Sequence, residues 1–268
     1  MKKTLIILCA VLISFASQAS DGLKLVAVSQ DLASGKPAPS STLYINATQM
    51  VMQTKQGGDF TILFDAEKQQ ITIIDHGKKS YSILGEAELT ELSDGLKQMS
   101  GLIKAFYKNM PPETQKKFAP LVNGKDPNIT FAAKGQSKVN TWPTSAYQVR
   151  GGDQKLLFDV DIADFSKFGV KQADVAAVKK LTKMLDEYLP GIESLIPGAS
   201  VFANLNNDKN PMFTKGIPVR TVAYNENGRP DSQFLMKKVE KSNFKLSDFT
   251  IPTGYRRTAI KLDNPMGK

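Results

Sequence analysis

Apolar and polar residues alternate in short runs along most of this chain, and turn-forming residues bound each run. In Phe60-Thr-Ile62-Leu-Phe64, alternate positions supply one apolar face, as a half-buried strand requires. The same reading predicts strands at Leu23–Gln30, Leu43–Thr54, Ile71–Ile74 and Ser80–Leu84, the last two separated by the turn His76-Gly-Lys-Lys79. Tight spacing and short turns argue for antiparallel pairing, because parallel neighbours need long crossovers. The period then changes. Leu89, Leu92, Leu96, Met99, Ile103 and Phe106 fall three or four apart, the spacing of one helical face, until Pro111-Pro112. Strands resume at Ile129–Ala133, Ala146–Arg150 and Leu156–Ile162, where Asp159 and Asp161 alternate with Phe158, Val160 and Ile162 and so predict a wet face. A second helix is expected over roughly Gln172–Leu189, with Val175, Val178, Leu181, Leu185 and Tyr188 inward. Strands at Ile217–Tyr224 and Gln233–Glu240 flank the turn signal Asn225-Glu-Asn-Gly228. Strands interrupted by two long amphipathic helices describe an α+β fold. A large antiparallel sheet tends to curl, which would let helices line its concave face.

The first residues carry a different pattern. Lys2 and Lys3 precede an apolar run from Thr4 to Phe15, and Ser17-Gln-Ala19 offers small residues at a cleavage site. The run is too short to span a bilayer. We therefore expect residues 1–19 to be a cleaved signal peptide and residues 20–268 a single domain, periplasmic or secreted, with no membrane-spanning segment. Cys9, the only cysteine, would leave with the leader, so the mature chain has no disulfide and no thiolate chemistry. The formal charge of +9 would become +7. Residues 229–268 contribute much of it, with nine Lys or Arg against four Asp or Glu. A basic end suits anionic headgroups or an acidic envelope partner, and Arg256, Arg257 and Lys261 are the candidate contacts. Nucleic acid is not expected as a partner of an exported chain without an aromatic-and-arginine motif.

Catalytic patterns are sparse. His76, the single histidine, falls in a turn and reads as a solvated residue, and no Gly-x-Ser-x-Gly elbow or phosphate loop is present. Asp159, Asp161 and Asp164 are closely spaced but read as surface carboxylates. Asn204, Asn206 and Asp208 imitate the start of a calcium loop, yet Lys209 stands where that loop needs glycine and Lys215 where it needs glutamate. We expect no enzyme activity, no metal and no cofactor. Methionines accompany the helices and one strand, at Met50, Met52, Met99, Met110 and Met184. Flexible thioethers suit either a filled core or an adaptable apolar cavity.

Three segments resemble a family of secreted bacterial proteins of uncharacterised function, whose fold is similar to the LolA/LolB lipoprotein carriers. They are Ile71-Thr-Ile-Ile-Asp75-His-Gly-Lys-Lys-Ser-Tyr81-Ser-Ile-Leu84, Gly216-Ile-Pro218-Val219 and Phe249-Thr-Ile-Pro252-Thr-Gly254-Tyr255. The resemblance implies a curved antiparallel sheet, an incomplete barrel, with the two helices on its concave face and an apolar cavity for acyl chains. It implies a non-enzymatic periplasmic or secreted protein that binds a lipid, a lipoprotein or another hydrophobic envelope molecule. The helical periodicity supplies candidates for the lining: Leu96, Met99, Ile103, Phe106, Met184 and Leu185. The alternative is a structural or interaction protein of the cell envelope, acting through its basic C-terminal surface.

Overall fold

A computed structural model describes residues 22–32, 34–35, 37–55, 58–113, 115, 129–188, 210–212, 214–225 and 227–260, without the side chains of residues 37–39, 99 and 100. Twelve strands form one sheet in the order β12-β6-β5-β4-β3-β2-β1-β11-β10-β9-β8-β7. The sheet is open, with β12 and β7 at its edges, and every pairing but one is antiparallel. The strands are β1 (Gly22–Asp31), β2 (Pro37–Ile45), β3 (Gln49–Thr54), β4 (Phe60–Asp65), β5 (Gln70–Asp75) and β6 (Ser80–Leu84), then β7 (Thr130–Val139), β8 (Trp142–Arg150), β9 (Leu156–Asp164), β10 (Gly216–Tyr224), β11 (Pro230–Ser242) and β12 (Arg256–Arg257). Helix α1 covers Glu86–Phe106 and helix α2 covers Ala177–Tyr188.

One expected strand, Leu43–Thr54, is a hairpin. Asn46 Oδ1 accepts hydrogen bonds from the Thr48 and Gln49 amides at 2.9 and 2.7 Å, so an asparagine turn splits the run into β2 and β3. The second helix also starts later than its periodicity predicts. Residues Gln172–Val175 form a 3₁₀ turn, opened by the Lys171 amide on Asp174 Oδ2 at 2.8 Å, before α2 begins at Ala177. Helix α1 starts where Glu88 reaches back to the Gly85 amide at 3.1 Å, with Glu86 and Glu88 in the first turn and Lys104 in the last, matching the helix dipole.

Strands β2–β6 are apolar on both faces because both faces are covered. On one face, Ile45, Phe64, Ile71 and Leu84 join the main core with Leu89 of α1 and Val178 and Met184 of α2. On the other, Val51, Leu63 and Ile74 pack beneath Phe244, Leu246, Phe249, Ile251 and Tyr255 of the C-terminal segment. This segment crosses the sheet and adds β12 to the free edge of β6 in parallel, covering an edge that would otherwise invite pairing with other chains. Its motif residues act as plugs: the Phe249 ring lies 5.1 Å from Tyr44, and Gly254 takes φ +85 in the turn that brings Tyr255 down.

Candidate functional site

The helix-bearing face of β2–β6 divides into two cross-strand rows. The first runs Leu23–Ile45–Met50–Phe64–Ile71–Leu84 across β1 to β6, and all of it but Met50 is buried. Helix α2 closes this end. Its Ala177 amide donates to the Asn46 carbonyl at 3.2 Å, it lies against β3 and β4, and its last residue comes close to the start of α1. There burial, then the charges of Glu86 and Glu187, push the Tyr188 phenol above its ordinary range.

The second row runs Leu25–Leu43–Met52–Ile62–Ile73–Ser82. Leu25 and Ser82 are buried at its ends, whereas Leu43, Met52, Ile62 and Ile73 remain half-buried. Four adjacent strands thus present a continuous apolar shelf that the helices leave partly open. Leu92 and Leu96 of α1 and Leu181 and Leu185 of α2 are also half-buried, packed against the same core. The shelf is a place for apolar contact, and none of the described residues that form it is ionisable. Met52 was legible as an adaptable residue. Leu43, Ile62 and Ile73 were legible only as strand interior, because a single strand does not reveal how far a helix layer extends.

The expected lining separates. Leu96, Met184 and Leu185 meet in the main core, Met184 buried and the two leucines at its margin. Ile103 is 1% exposed, yet among the described residues it joins neither apolar cluster. Phe106 is 51% exposed and faces outward from α1. The Met99 side chain lies outside the described residues, as do Lys261 and the Asn204–Asp208 stretch. Of the basic candidates, Arg256 is exposed in β12, while Arg257 Nη2 is held by Glu88 Oε1 at 3.0 Å. That ion pair ties the C-terminal strap to the first turn of α1. The Glu88 carboxyl sits below its usual range, first through backbone hydrogen bonds and then through Arg257.

Two polar expectations need correction. His76 is not a solvated turn residue: its Nε2 meets Thr61 Oγ1 at 2.9 Å and its Nδ1 meets Tyr255 Oη at 3.1 Å. The Tyr255 ring stands edge-on to it, so the histidine anchors the strap. Asp161 does not face water either. It is 1% exposed and accepts from Arg220 Nε at 2.7 Å, with Thr144 Oγ1 at 3.4 Å. Its neighbour Asp159 accepts from Lys134 at 3.1 Å and from Tyr224 at 2.9 Å. Burial, then the Asp159 hydrogen bond and charge, raise the Tyr224 phenol. Asp164 is exposed and caps the next turn through the Ser166 amide at 2.8 Å. Asp159 and Asp161 thus tie β9 to its neighbouring strands, and Asp164 caps a turn.

No family model matches this chain, and no curated protein matches it. Solved structures similar to it include an uncharacterized conserved protein from Thermus thermophilus, at TM-score 0.46 and 6% identity over 89% of this chain and 90% of that one. Another is the MucA/MucB complex of Pseudomonas aeruginosa, at TM-score 0.39 and 11% identity, with 88% of this chain and 56% of that chain covered. A third is a LolA superfamily protein from Nitrosomonas europaea, at TM-score 0.30 and 6% identity over 86% of this chain and 90% of that one. The LolA-like resemblance carried by the sequence motifs thus has a counterpart among the structural neighbours, all too distant to bear on activity.

Proposed function

We propose that this protein is an exported, non-catalytic binding protein that holds an apolar envelope molecule, a lipid or the acyl chains of a lipoprotein, along the open shelf. In this reading the sheet curls into an incomplete barrel, the helices lie on its concave side, and acyl chains lie on Leu43, Met52, Ile62 and Ile73. The observation that supports it is the uneven sealing of one face: the first row is buried except at Met50, and the second is left half-buried across four strands. An ordinary core would bury both rows, since each half-exposed aliphatic side chain forgoes about 1 kcal/mol of burial. Flexible Met52 in the middle of the row suits ligands of varied shape. Helix α1 is the element to move on loading, because among the described side chains its contact with the main core ends at Leu96.

Titration of a dansylated fatty acid against the mature protein tests this reading. Saturable binding should weaken roughly thirtyfold in Ile62→Ser/Ile73→Ser, each substitution removing about 1 kcal/mol of apolar contact. Equal binding by a folded double variant would contradict the shelf as the site.

A further inference from the structure

The half of α1 beyond the core carries a second kind of surface. From Leu96 to Phe106 the helix advances about 15 Å, and over this stretch the described apolar side chains split. Ile103 points inward, while Leu102 and Phe106 are 52% and 51% exposed. Being four residues apart, they stand one above the other on the same flank. Continuing round the helix come Gln98, Ala105 and Gly101, all exposed, and then Lys108, Lys97 and Lys104. A Cβ placed on Gly101 would meet nothing within 4 Å, so this outer strip faces open space. The charge is equally one-sided. Residues 86–94 hold four carboxylates and no cation, whereas residues 95–112 hold three lysines and no carboxylate. Lys97 is paired with Asp94 at 3.2 Å on an exposed surface, and Lys104 and Lys108 are exposed.

We propose that this end of α1 docks on an anionic phospholipid bilayer. Leu102 and Phe106 enter the boundary between headgroups and acyl chains, and Lys104 and Lys108, assisted by Lys97, reach phosphate at the rim. The small residues Gly101 and Ala105 let the helix axis approach the surface. The charge complementarity selects the occupant. A neutral apolar partner would leave the exposed Lys104 and Lys108 unmatched, and a second copy docked about the Leu102–Phe106 pair would place lysines against lysines. An anionic membrane satisfies both flanks at once. This surface is separate from the shelf, so it holds whether or not the shelf carries a ligand.

The test uses the mature full chain and vesicles of phosphatidylcholine with or without phosphatidylglycerol. The variant Phe106→Trp reports insertion, with wild-type Trp142 emission as background. We expect a blue shift and quenching by brominated acyl chains in phosphatidylglycerol vesicles, both reduced by added salt. Leu102→Ser/Phe106→Ser should bind these vesicles roughly tenfold more weakly, with an unchanged circular dichroism spectrum because both side chains are exposed. Emission that stays at the water-exposed wavelength would overturn the proposal. So would undiminished vesicle binding by the double serine variant, or a blue shift that grows with protein concentration without lipid, which would mean a second copy covers the pair.

Discussion

Replacing Arg220 by alanine should cost far more than removing an ordinary surface cation. Asp161 stays 1% exposed on β9, and its acceptors would be left with only the Thr144 hydroxyl at 3.4 Å. Breaking a buried ion pair by deleting one partner costs about 3–5 kcal/mol. Here the Arg220 side chain is 40% exposed, so water can follow the truncation inward, and we reduce the expectation to about 2–3 kcal/mol. For a chain of this size that corresponds to a fall in melting temperature of roughly 5–10 °C. Urea unfolding followed by circular dichroism measures it, with Lys134→Ala as control, since the Asp159 side chain is 20% exposed where that of Asp161 is 2%, and losing its lysine should cost less than about 1 kcal/mol. Asp161→Asn/Arg220→Ala should recover more than half of the loss by removing the stranded charge. A cost below about 0.5 kcal/mol for Arg220→Ala, or no recovery in the double variant, would mean that Asp161 is not a buried charge held by this partner.

Other outcomes follow from the turns and the strap. Asn46→Ala removes the acceptor of two amides at the β2–β3 turn beside the start of α2, and should cost about 1–3 kcal/mol in urea unfolding. Tyr255→Phe should cost about 0.5–1.5 kcal/mol by taking the hydroxyl from His76, with less effect in a His76→Ala background than in wild type. The Glu88 carboxyl is held below its ordinary value, so its stabilisation is present above that value, near pH 4.5, and is lost as pH falls through the lowered folded one. The stability gap between wild type and Glu88→Gln should therefore be constant near neutrality and close in acid, as melting temperatures across pH would report.

Local periodicity makes most elements legible in the sequence. The period-two runs and the 3.6-residue stripe of α1 were readable because each is fixed by neighbours along the chain. What escaped depends on residues far apart in sequence. Asp161 reads as wet beside its own strand neighbours, and only Arg220, 59 positions away, makes it dry. His76 reads as a turn residue until Tyr255, 179 positions on, closes over it. The Leu43–Thr54 run lacks glycine and proline, so the turn made by the Asn46 side chain was hidden within an apolar stretch. Phe106 keeps the helical spacing, but its position lies some 60° from Ile103 and past the end of the core. Spacing along a helix says which residues share a flank. It does not say how far the sheet beneath that flank extends.

The proposed ligand site is the half-buried row Leu43–Met52–Ile62–Ile73. Native mass spectrometry of the mature protein, purified from its own host and followed by organic extraction, tests it most directly. The expected result is a bound species of lipid or acylated mass that is extractable and is lost from Ile62→Ser/Ile73→Ser. An apo mass that persists after incubation with host lipid extract would contradict it.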